Sequence, residues 1–102
     1  MNFERVARKD EFEPGKAVLV SFEGEDVAIF LVEGTYFAIC DTCPHRDGPL
    51  HEGLVEGKSV TCPWHFGKFD LETGEAIEPP PTKGVRTYEV RVTGEDIELR
   101  KA

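Results

Sequence analysis

Long apolar segments are missing from this chain of 102 residues. A membrane-spanning helix needs about 18 or more consecutive apolar residues, whereas the longest apolar run is Val27–Val32. The first residues, Met1 to Arg5, contain no apolar stretch of the kind that a secretory signal uses. We therefore expect neither a membrane span nor a secretory leader.

Cysteine and cationic side chains are also scarce. Three cysteines are too few for a disulfide framework, which favours a reducing compartment and predicts a cytoplasmic location. Twelve Lys and Arg stand against twenty Asp and Glu, for a formal net charge of −8 at pH 7. Such a surface repels nucleic acid and anionic lipid, so we expect neither as a partner. The charge suits docking on a basic patch of another protein, although solubility alone also explains it.

Short β-strands are predicted on both sides of the centre of the chain. Val18, Val20 and Phe22 alternate with Leu19 and Ser21, and apolar and polar residues alternate over residues 88–92, as in strands with one buried face. Val27–Val32 and residues 36–39 are apolar runs of strand length, and Ile97 and Leu99 are expected to face inward. Turn-forming sequences separate these strands: Glu23–Asp26, Glu33-Gly34 and Thr93–Asp96.

The fold class follows from these closely spaced turns. Short strands joined by tight turns predict an all-β domain, a small antiparallel sandwich or barrel. A single helical turn is expected only within residues 8–14, and a chain of 102 residues fits one domain. A segment of about residues 40–71, rich in glycine and proline, predicts an inserted lobe on a β base formed by residues 1–39 and 72–102.

Two short clusters of sulfur and imidazole lie within that lobe. Cys43-Pro44-His45 and Cys62-Pro63-Trp64-His65 are separated by sixteen residues, which gives the spacing C-x-H-x16-C-x2-H. Each half offers one thiolate and one imidazole, so two loops can bind one inorganic group from opposite sides. Iron–sulfur clusters usually have four thiolate ligands, but in Rieske [2Fe–2S] centres two histidines replace two cysteines on one iron.

This ligand set has a predictable chemistry. Two thiolates and two neutral imidazoles leave the oxidised centre near zero charge, so adding an electron costs less than in a four-thiolate cluster. Rieske potentials accordingly span roughly −150 to +300 mV, against about −400 mV for plant-type ferredoxins. Because all four ligand positions are filled by protein, no iron is open to substrate. The motif therefore predicts a one-electron carrier and not an enzyme.

The chain resembles the Rieske ferredoxins over essentially its whole length. Beyond the ligand-type residues, the resemblance is carried by Gly48, Gly67, Phe69-Asp70, Thr73-Gly74 and Pro79-Pro80-Pro81. It implies a lobe built from hairpin loops that holds one [2Fe–2S] cluster. The implied ligands are Cys43 and Cys62 on the inner iron, and His45 and His65 on the outer iron nearer solvent.

The resemblance also bears on the reduction potential. High-potential Rieske proteins of respiratory complexes carry a disulfide between the cluster loops, at positions that correspond here to Gly48 and Trp64. The same proteins have Ser and Tyr hydroxyls beside the cluster where this chain has Gly67 and Phe69. Hydrogen bonds to the sulfurs and a less negative net charge raise the reduction potential. This chain lacks those hydroxyls and has a net charge of −8. We therefore expect a redox titration to give a value in the lower part of the Rieske range.

A structural zinc site is the main alternative for these ligands. Two Cys and two His can bind zinc tetrahedrally, and Cys40, Cys43, Cys62 and His65 would be a possible set. That set leaves His45 without a role. Zinc sites also usually group a pair of cysteines before a pair of histidines, whereas Cys and His alternate here. The Rieske interpretation is therefore favoured.

The resemblance suggests a place in a known type of electron-transfer chain. The stretch Cys62–Phe69 and the proline run are similar to the stand-alone ferredoxins of aromatic-ring dioxygenase systems. The chain would then be a monomer that accepts electrons from an NAD(P)H-dependent flavoprotein reductase and passes them to a terminal oxygenase, through transient complexes with both. A small Rieske-like subunit of an assimilatory nitrite reductase remains the alternative.

Other residues near the motif have more ordinary interpretations. Cys40 ends an apolar strand and is expected to be a buried structural thiol. His51 follows Pro49-Leu50 and is expected to be an exposed loop histidine, with a docking role as the alternative. The resemblance implies that the proline run shields the cluster. The predicted docking face is the rim around the imidazoles: Pro44, Arg46, Trp64, Phe66 and the proline run.

Overall fold

A computed structural model describes residues 3–13, 16–41, 50–63, 67–78 and 84–101. The regular structure within these ranges consists of ten strands and two short 3₁₀ turns. The strands are β1 Glu4–Arg8, β2 Ala17–Phe22, β3 Glu25–Val32, β4 Thr35–Cys40, β5 Leu54–Glu56, β6 Ser59–Thr61, β7 Lys68–Asp70, β8 Ala76–Glu78, β9 Thr87–Thr93 and β10 Asp96–Lys101. The 3₁₀ turns are Lys9–Glu11, within the segment predicted to hold a helical turn, and Leu50–Glu52.

The strands form two antiparallel sheets. The larger has six strands in the order β1-β10-β9-β4-β3-β2, and the smaller has four in the order β5-β6-β7-β8. The all-β class with antiparallel pairing is therefore confirmed. Within the described ranges, no helix is long and apolar enough to cross a membrane.

The β2–β3 hairpin is tighter than the sequence predicts. Its turn is the dipeptide Glu23-Gly24, with φ angles of 51° and 81°, and strand β3 already begins at Glu25. Positive φ at both central residues is typical of the type I′ turn, whose twist matches that of paired strands. The prediction of a turn through Asp26 was therefore two residues too long. Glu33-Gly34 makes the same turn between β3 and β4, with φ angles of 48° and 79°.

Strand β3 is buried on both faces, which explains its continuous apolar sequence. Val27 and Ile29 point into one apolar core, enclosed by the larger sheet, and are fully buried. Ala28 and Phe30 alternate with them and point into a second core, which lies against the smaller sheet. A strand that separates two cores has no face left for polar side chains.

The second core joins the two sheets. Besides residues of β3 and β4, it contains side chains of the 3₁₀ turn, the smaller sheet and the residues that follow its strands: Leu50, Val60, Cys62, Phe69 and Leu71. Strands β5 to β8 are only three residues long. Strands this short need packing as well as pairing to be stable, and the shared core supplies it.

Two details of the fold differ from the sequence patterns. Ile97 and Leu99 are fully buried as predicted, but Val92, near the end of the β9–β10 hairpin, is 42% exposed because it lies beyond the core. The smaller sheet extends to β8, which follows residue 71. The division into a base of residues 1–39 and 72–102 and a lobe of about residues 40–71 remains a prediction.

Gly34 and Gly74 provide a matched test of local packing, since both have a φ of 79°. A Cβ on Gly34 would meet nothing within 4 Å, whereas one on Gly74 would lie 2.2 Å from the carbonyl oxygen of Val85. We expect Gly34→Ala to cost about 1 kcal/mol from backbone strain alone. Gly74→Ala should cost about 3 kcal/mol or more, because a backbone atom must move as well.

Thermal unfolding followed by far-UV circular dichroism measures this difference. One kcal/mol corresponds to roughly 4–8 °C in Tm for a domain of this size. Equal shifts in Tm for the two variants would contradict the close approach of Gly74 to Val85.

Candidate metal centre

Of the four predicted ligands, only Cys62 lies within the described ranges. Cys43, His45 and His65 lie outside them, as do the other predicted site residues Pro44, Arg46, Gly48, Trp64, Phe66 and the run Pro79–Pro81. The described residues on either side of these segments show where the chain enters and leaves them.

Cys62 follows β6 and is fully buried in the second core. Its backbone N–H donates to the carbonyl oxygen of Gly67 at 2.7 Å, so the two ends of residues 62–67 are held together. Gly67, which directly precedes β7, is itself buried. The chain therefore leaves β6 and enters β7 at adjacent points of the smaller sheet.

The segment 42–49 is closed at its two ends by hydrogen bonds. Asp41, which directly follows β4, accepts the N–H of Leu50 on its carbonyl oxygen at 2.8 Å. Its Oδ1 accepts the N–H of His51 at 2.7 Å. Asp41 in turn donates its own N–H to the carbonyl oxygen of Asp26 at 3.0 Å. The segment that contains Cys43 and His45 therefore begins and ends at one place on the larger sheet.

These two closed ends lie against the same core. Leu50 and Cys62 are both fully buried members of the second core. The chain after Leu50 also passes close to β6, since a Cβ on Gly53 would lie 2.3 Å from the carbonyl oxygen of Thr61. Segments 42–49 and 62–67, each of which contains one Cys and one His, are thus anchored side by side.

The donor set and its surroundings fit an iron–sulfur cluster. A thiolate buried among apolar side chains is costly unless a cation compensates its charge, and the iron of a cluster does so. When bound between such ligands, a Rieske [2Fe–2S] cluster supplies reversible one-electron transfer. Cys40 and Cys62, the two cysteines in the described ranges, are not joined by a disulfide, so the sulfur of Cys62 is available as a ligand.

Asp41 and His51 were not identified correctly from the sequence. His51 is not an exposed loop residue: it lies in the 3₁₀ turn, its side chain is 26% exposed, and its ring contacts the Asp41 carboxylate. Asp41 was not singled out at all, yet only 8% of its side chain is exposed. The signal in the sequence was an acidic residue that directly follows an apolar strand and precedes a predicted ligand by two positions. Cys40 is partly buried, less than predicted.

The motif residues after the second ligand loop form a further anchor. Phe69 is fully buried in the second core, and Oδ1 of Asp70 accepts the N–H groups of Glu72 and Thr73 at 2.7 and 3.0 Å. The N–H of Gly74 donates to the carbonyl oxygen of Asp70 at 2.8 Å. This turn explains why an aspartate and a glycine occupy these positions.

The same turn holds the chain that follows the proline run. The carbonyl oxygen of Gly74 accepts the N–H of Val85 at 2.7 Å. A Cβ on Gly84 would lie 2.4 Å from that same oxygen. Gly84 and Val85, which follow the segment 79–83, are therefore fixed to the turn that follows β7.

A polar cluster lies next to Cys40 on the larger sheet. The carbonyl oxygen of Arg86 accepts the Cys40 N–H at 2.8 Å. Oε2 of Glu25 accepts from the Tyr88 hydroxyl at 2.9 Å and from the Arg86 guanidinium at 2.5 Å. The hydrogen bonds from Tyr88 and Arg86 lower the pKa of the Glu25 carboxyl, and the bond to Glu25 raises the pKa of Arg86. Burial, followed by the hydrogen bond to Glu25, raises the pKa of Tyr88 to about 12.

Comparison with known proteins identifies the family. A family model described as the Rieske [2Fe–2S] domain matches residues 2–89. The biphenyl dioxygenase ferredoxin subunit of Pseudomonas sp. (strain KKS102) is 40% identical over 98 residues, which cover 95% of this chain and 90% of that protein.

Solved structures agree with this match. The ferredoxin of carbazole 1,9a-dioxygenase from Nocardioides aromaticivorans IC177 is 29% identical, with a TM-score of 0.92 and full coverage of both chains. A chain from a structure described as the complex of reduced oxygenase and oxidised ferredoxin in carbazole 1,9a-dioxygenase is 28% identical. Its TM-score is 0.90, and the match covers 98% of this chain and 95% of that chain.

The chain therefore belongs to the Rieske [2Fe–2S] family. It carries a Rieske-type cluster and is an electron carrier of the ferredoxin kind, not a catalytic subunit. The predicted resemblance, fold and cofactor are confirmed, and the zinc alternative loses its support.

The polar cluster gives a testable pH dependence. The pKa of Tyr88 in the folded protein, about 12, exceeds the ordinary value of 10.0. The stabilisation from its neutral hydroxyl is therefore fully present below about pH 10 and is lost as the pH rises through about 12.

Ultraviolet absorbance at about 295 nm follows the deprotonation of tyrosine. The chain has two tyrosines, so the titration of the intact protein minus that of Tyr88→Phe isolates Tyr88. We expect a midpoint at about pH 12. A midpoint near the ordinary value would contradict the buried hydrogen bond to Glu25.

Proposed function

We propose that Cys43, His45, Cys62 and His65 are the four ligands of the cluster, with the cysteines on the inner iron and the histidines on the outer iron. Full burial of Cys62, the closed ends of segments 42–49 and 62–67, and their shared core support this assignment. In a Rieske domain two cysteines and two histidines are needed, and these four residues form the only such alternating pair of clusters in a sequence with three Cys and three His.

Single substitutions of the ligands test this assignment. Ser in place of Cys43 or Cys62, and Ala in place of His45 or His65, should abolish the Rieske-type EPR signal of the dithionite-reduced protein, because a lost ligand leaves one iron incompletely coordinated. Cys40→Ser is the matched control, since Cys40 is the third cysteine and lies at the end of β4.

The control variant should keep the full signal. The assignment is wrong if Cys40→Ser loses the signal while Cys43→Ser retains it, or if both histidine variants remain unchanged.

We further propose that the chain carries electrons from an NAD(P)H-dependent flavoprotein reductase to a terminal aromatic-ring dioxygenase. The observation that carries this proposal is the match over 95% of the chain to a ferredoxin subunit of biphenyl dioxygenase, at 40% identity. The structural likeness to a ferredoxin bound to its oxygenase also supports an oxygenase as the acceptor. Both complexes would be transient, and the carrier would act as a cytoplasmic monomer.

The net charge of −8 supports basic docking surfaces on the partners. The small subunit of an assimilatory nitrite reductase is the second candidate. It is less favoured because the biphenyl dioxygenase ferredoxin subunit at 40% identity and the carbazole dioxygenase ferredoxin at 29% identity are both ferredoxins of dioxygenase systems.

Reconstitution of an aromatic-ring dioxygenase system without its own ferredoxin tests the carrier function. Addition of this chain should restore electron flow from NADH to the oxygenase, and the His45→Ala variant serves as the control without a functional cluster. The rate of reduction should fall as ionic strength rises, since salt screens the acidic surface.

Two results would argue against the proposal. One is a reduced chain that the oxygenase does not oxidise at any salt concentration. The other is a tight, lasting complex with a large reductase on co-purification, which would favour the nitrite reductase subunit.

A further inference from the structure

The pair of Asp41 and His51 joins the two ends of segment 42–49 through side chains as well as backbone. Nδ1 of His51 lies 2.9 Å from Oδ1 and 3.0 Å from Oδ2 of Asp41. Oδ1 also accepts the backbone N–H of His51 at 2.7 Å. Every described hydrogen bond of this carboxylate therefore goes to His51, the second residue beyond the far end of the segment.

Burial makes these contacts strong. The Asp41 side chain is 8% exposed and that of His51 is 26% exposed, so water competes little for the carboxylate. Nε2 of His51 lies 3.6 Å from Oε2 of Glu52, near the surface. Hydrogen bonds to a charged group in a partly buried site are stronger than exposed ones, and a buried carboxylate left without partners is costly.

The pair is fixed to both sheets. Asp41 donates its N–H to Asp26 at the start of β3, and the 3₁₀ turn that contains His51 contacts β2 and β3 of the larger sheet. On the other side, Leu50 packs in the core that contains Cys62, and Gly53 passes close to Thr61, the residue before Cys62. The position of His51 is thus coupled to the start of the second ligand loop.

We propose that Asp41 and His51 are positioning residues that set the location of segment 42–49, and hence of Cys43 and His45, relative to Cys62. The inference rests on the ligand assignment proposed above. A cluster needs its ligands in place together, and ordering a segment of this length costs conformational entropy. The Asp41–His51 pair, called the clamp below, holds the two ends of the segment together before the cluster binds. Less of the entropy cost then has to be offset by cluster binding.

Three variants separate the contributions to the clamp. Asp41→Ala removes all contacts of the carboxylate and leaves the backbone bond from Leu50 to residue 41. His51→Leu removes the ring contacts but keeps the backbone N–H that donates to Asp41. Asp41→Asn keeps an acceptor for that N–H. We therefore expect Asp41→Ala to have the largest effect and the other two to have intermediate effects.

The measurement is the rate at which the holoprotein loses its cluster to an iron chelator, followed by visible absorbance at a temperature well below the Tm of every variant. Loss should be about tenfold or more faster in Asp41→Ala than in the unmodified protein, as expected for removal of hydrogen bonds to a buried charged group. The EPR g-values of the reduced variants provide a second readout, since a displaced ligand segment alters the cluster and a merely less stable fold does not.

Gly34→Ala is the control for general destabilisation, because it strains the distant β3–β4 turn without touching any side chain. It should lower the Tm and leave the rate of cluster loss unchanged. The proposal is overturned if Asp41→Ala and His51→Leu lose the cluster at the unmodified rate, or no faster than Gly34→Ala at the same distance below the Tm. His51→Leu keeps the test valid if Asp41→Ala does not fold.

Failure of the clamp and failure of the ligand assignment give different results. If the clamp alone is wrong, His45→Ala lacks the EPR signal while the Asp41 and His51 variants behave like the unmodified protein. If the ligand assignment is wrong, His45→Ala keeps the signal whatever the Asp41 variants do.

Discussion

Leu50 and Cys62 lie in one apolar core, and the placement of the two segments that contain the proposed metal ligands depends on that shared packing. The core fills the space between the larger sheet, through Ala28, Phe30 and Ile39, and the smaller sheet, through residues such as Val60 and Phe69. Without it, four strands of three residues each would have little to stabilise them. Both segments that contain proposed ligands start or end at this core. The burial of apolar side chains therefore determines where the two segments that contain the proposed ligands are anchored.

Hydrogen bonds at the ends of loops hold these segments in place in addition to the packing of the core. Cys62 is joined to Gly67, Asp41 to Leu50 and His51, and Gly74 to Val85. The first two sets of contacts join both ends of a segment that contains proposed ligands, and the third fixes the end of the segment that contains the proline run. Loops held in this way carry function on a rigid scaffold. A rigid scaffold with anchored loops suits an electron carrier, because the protein has only to hold its cluster and present it to a partner.

Much of the fold was predictable because its cause is local in the sequence. The alternation in β2 and β9 and the apolar run of β3 reflect burial on one face or on two, and both predictions agree with the structure except at Val92. The four proposed ligands are recognisable in the sequence because they fall into two short clusters, and their assignment remains a prediction. The potential remains a prediction, and the buried Phe69 offers no hydroxyl to raise it.

Other features could not be read from local patterns. The contact between Asp41 and His51 joins residues ten positions apart across a segment without regular periodicity, so nothing in the sequence links them. The exposure of Val92 depends on where the core ends, which alternation does not reveal. The start of β3 at Glu25 depends on the backbone angles of Glu23 and Gly24, and a glutamate with positive φ is unusual.

Quantification of iron, zinc and acid-labile sulfide in freshly purified protein tests the central claim most directly. A Rieske [2Fe–2S] domain requires two irons and two sulfides in each chain, and no zinc in the same site. Protein that contains one zinc per chain, or neither iron nor acid-labile sulfide, would contradict the account.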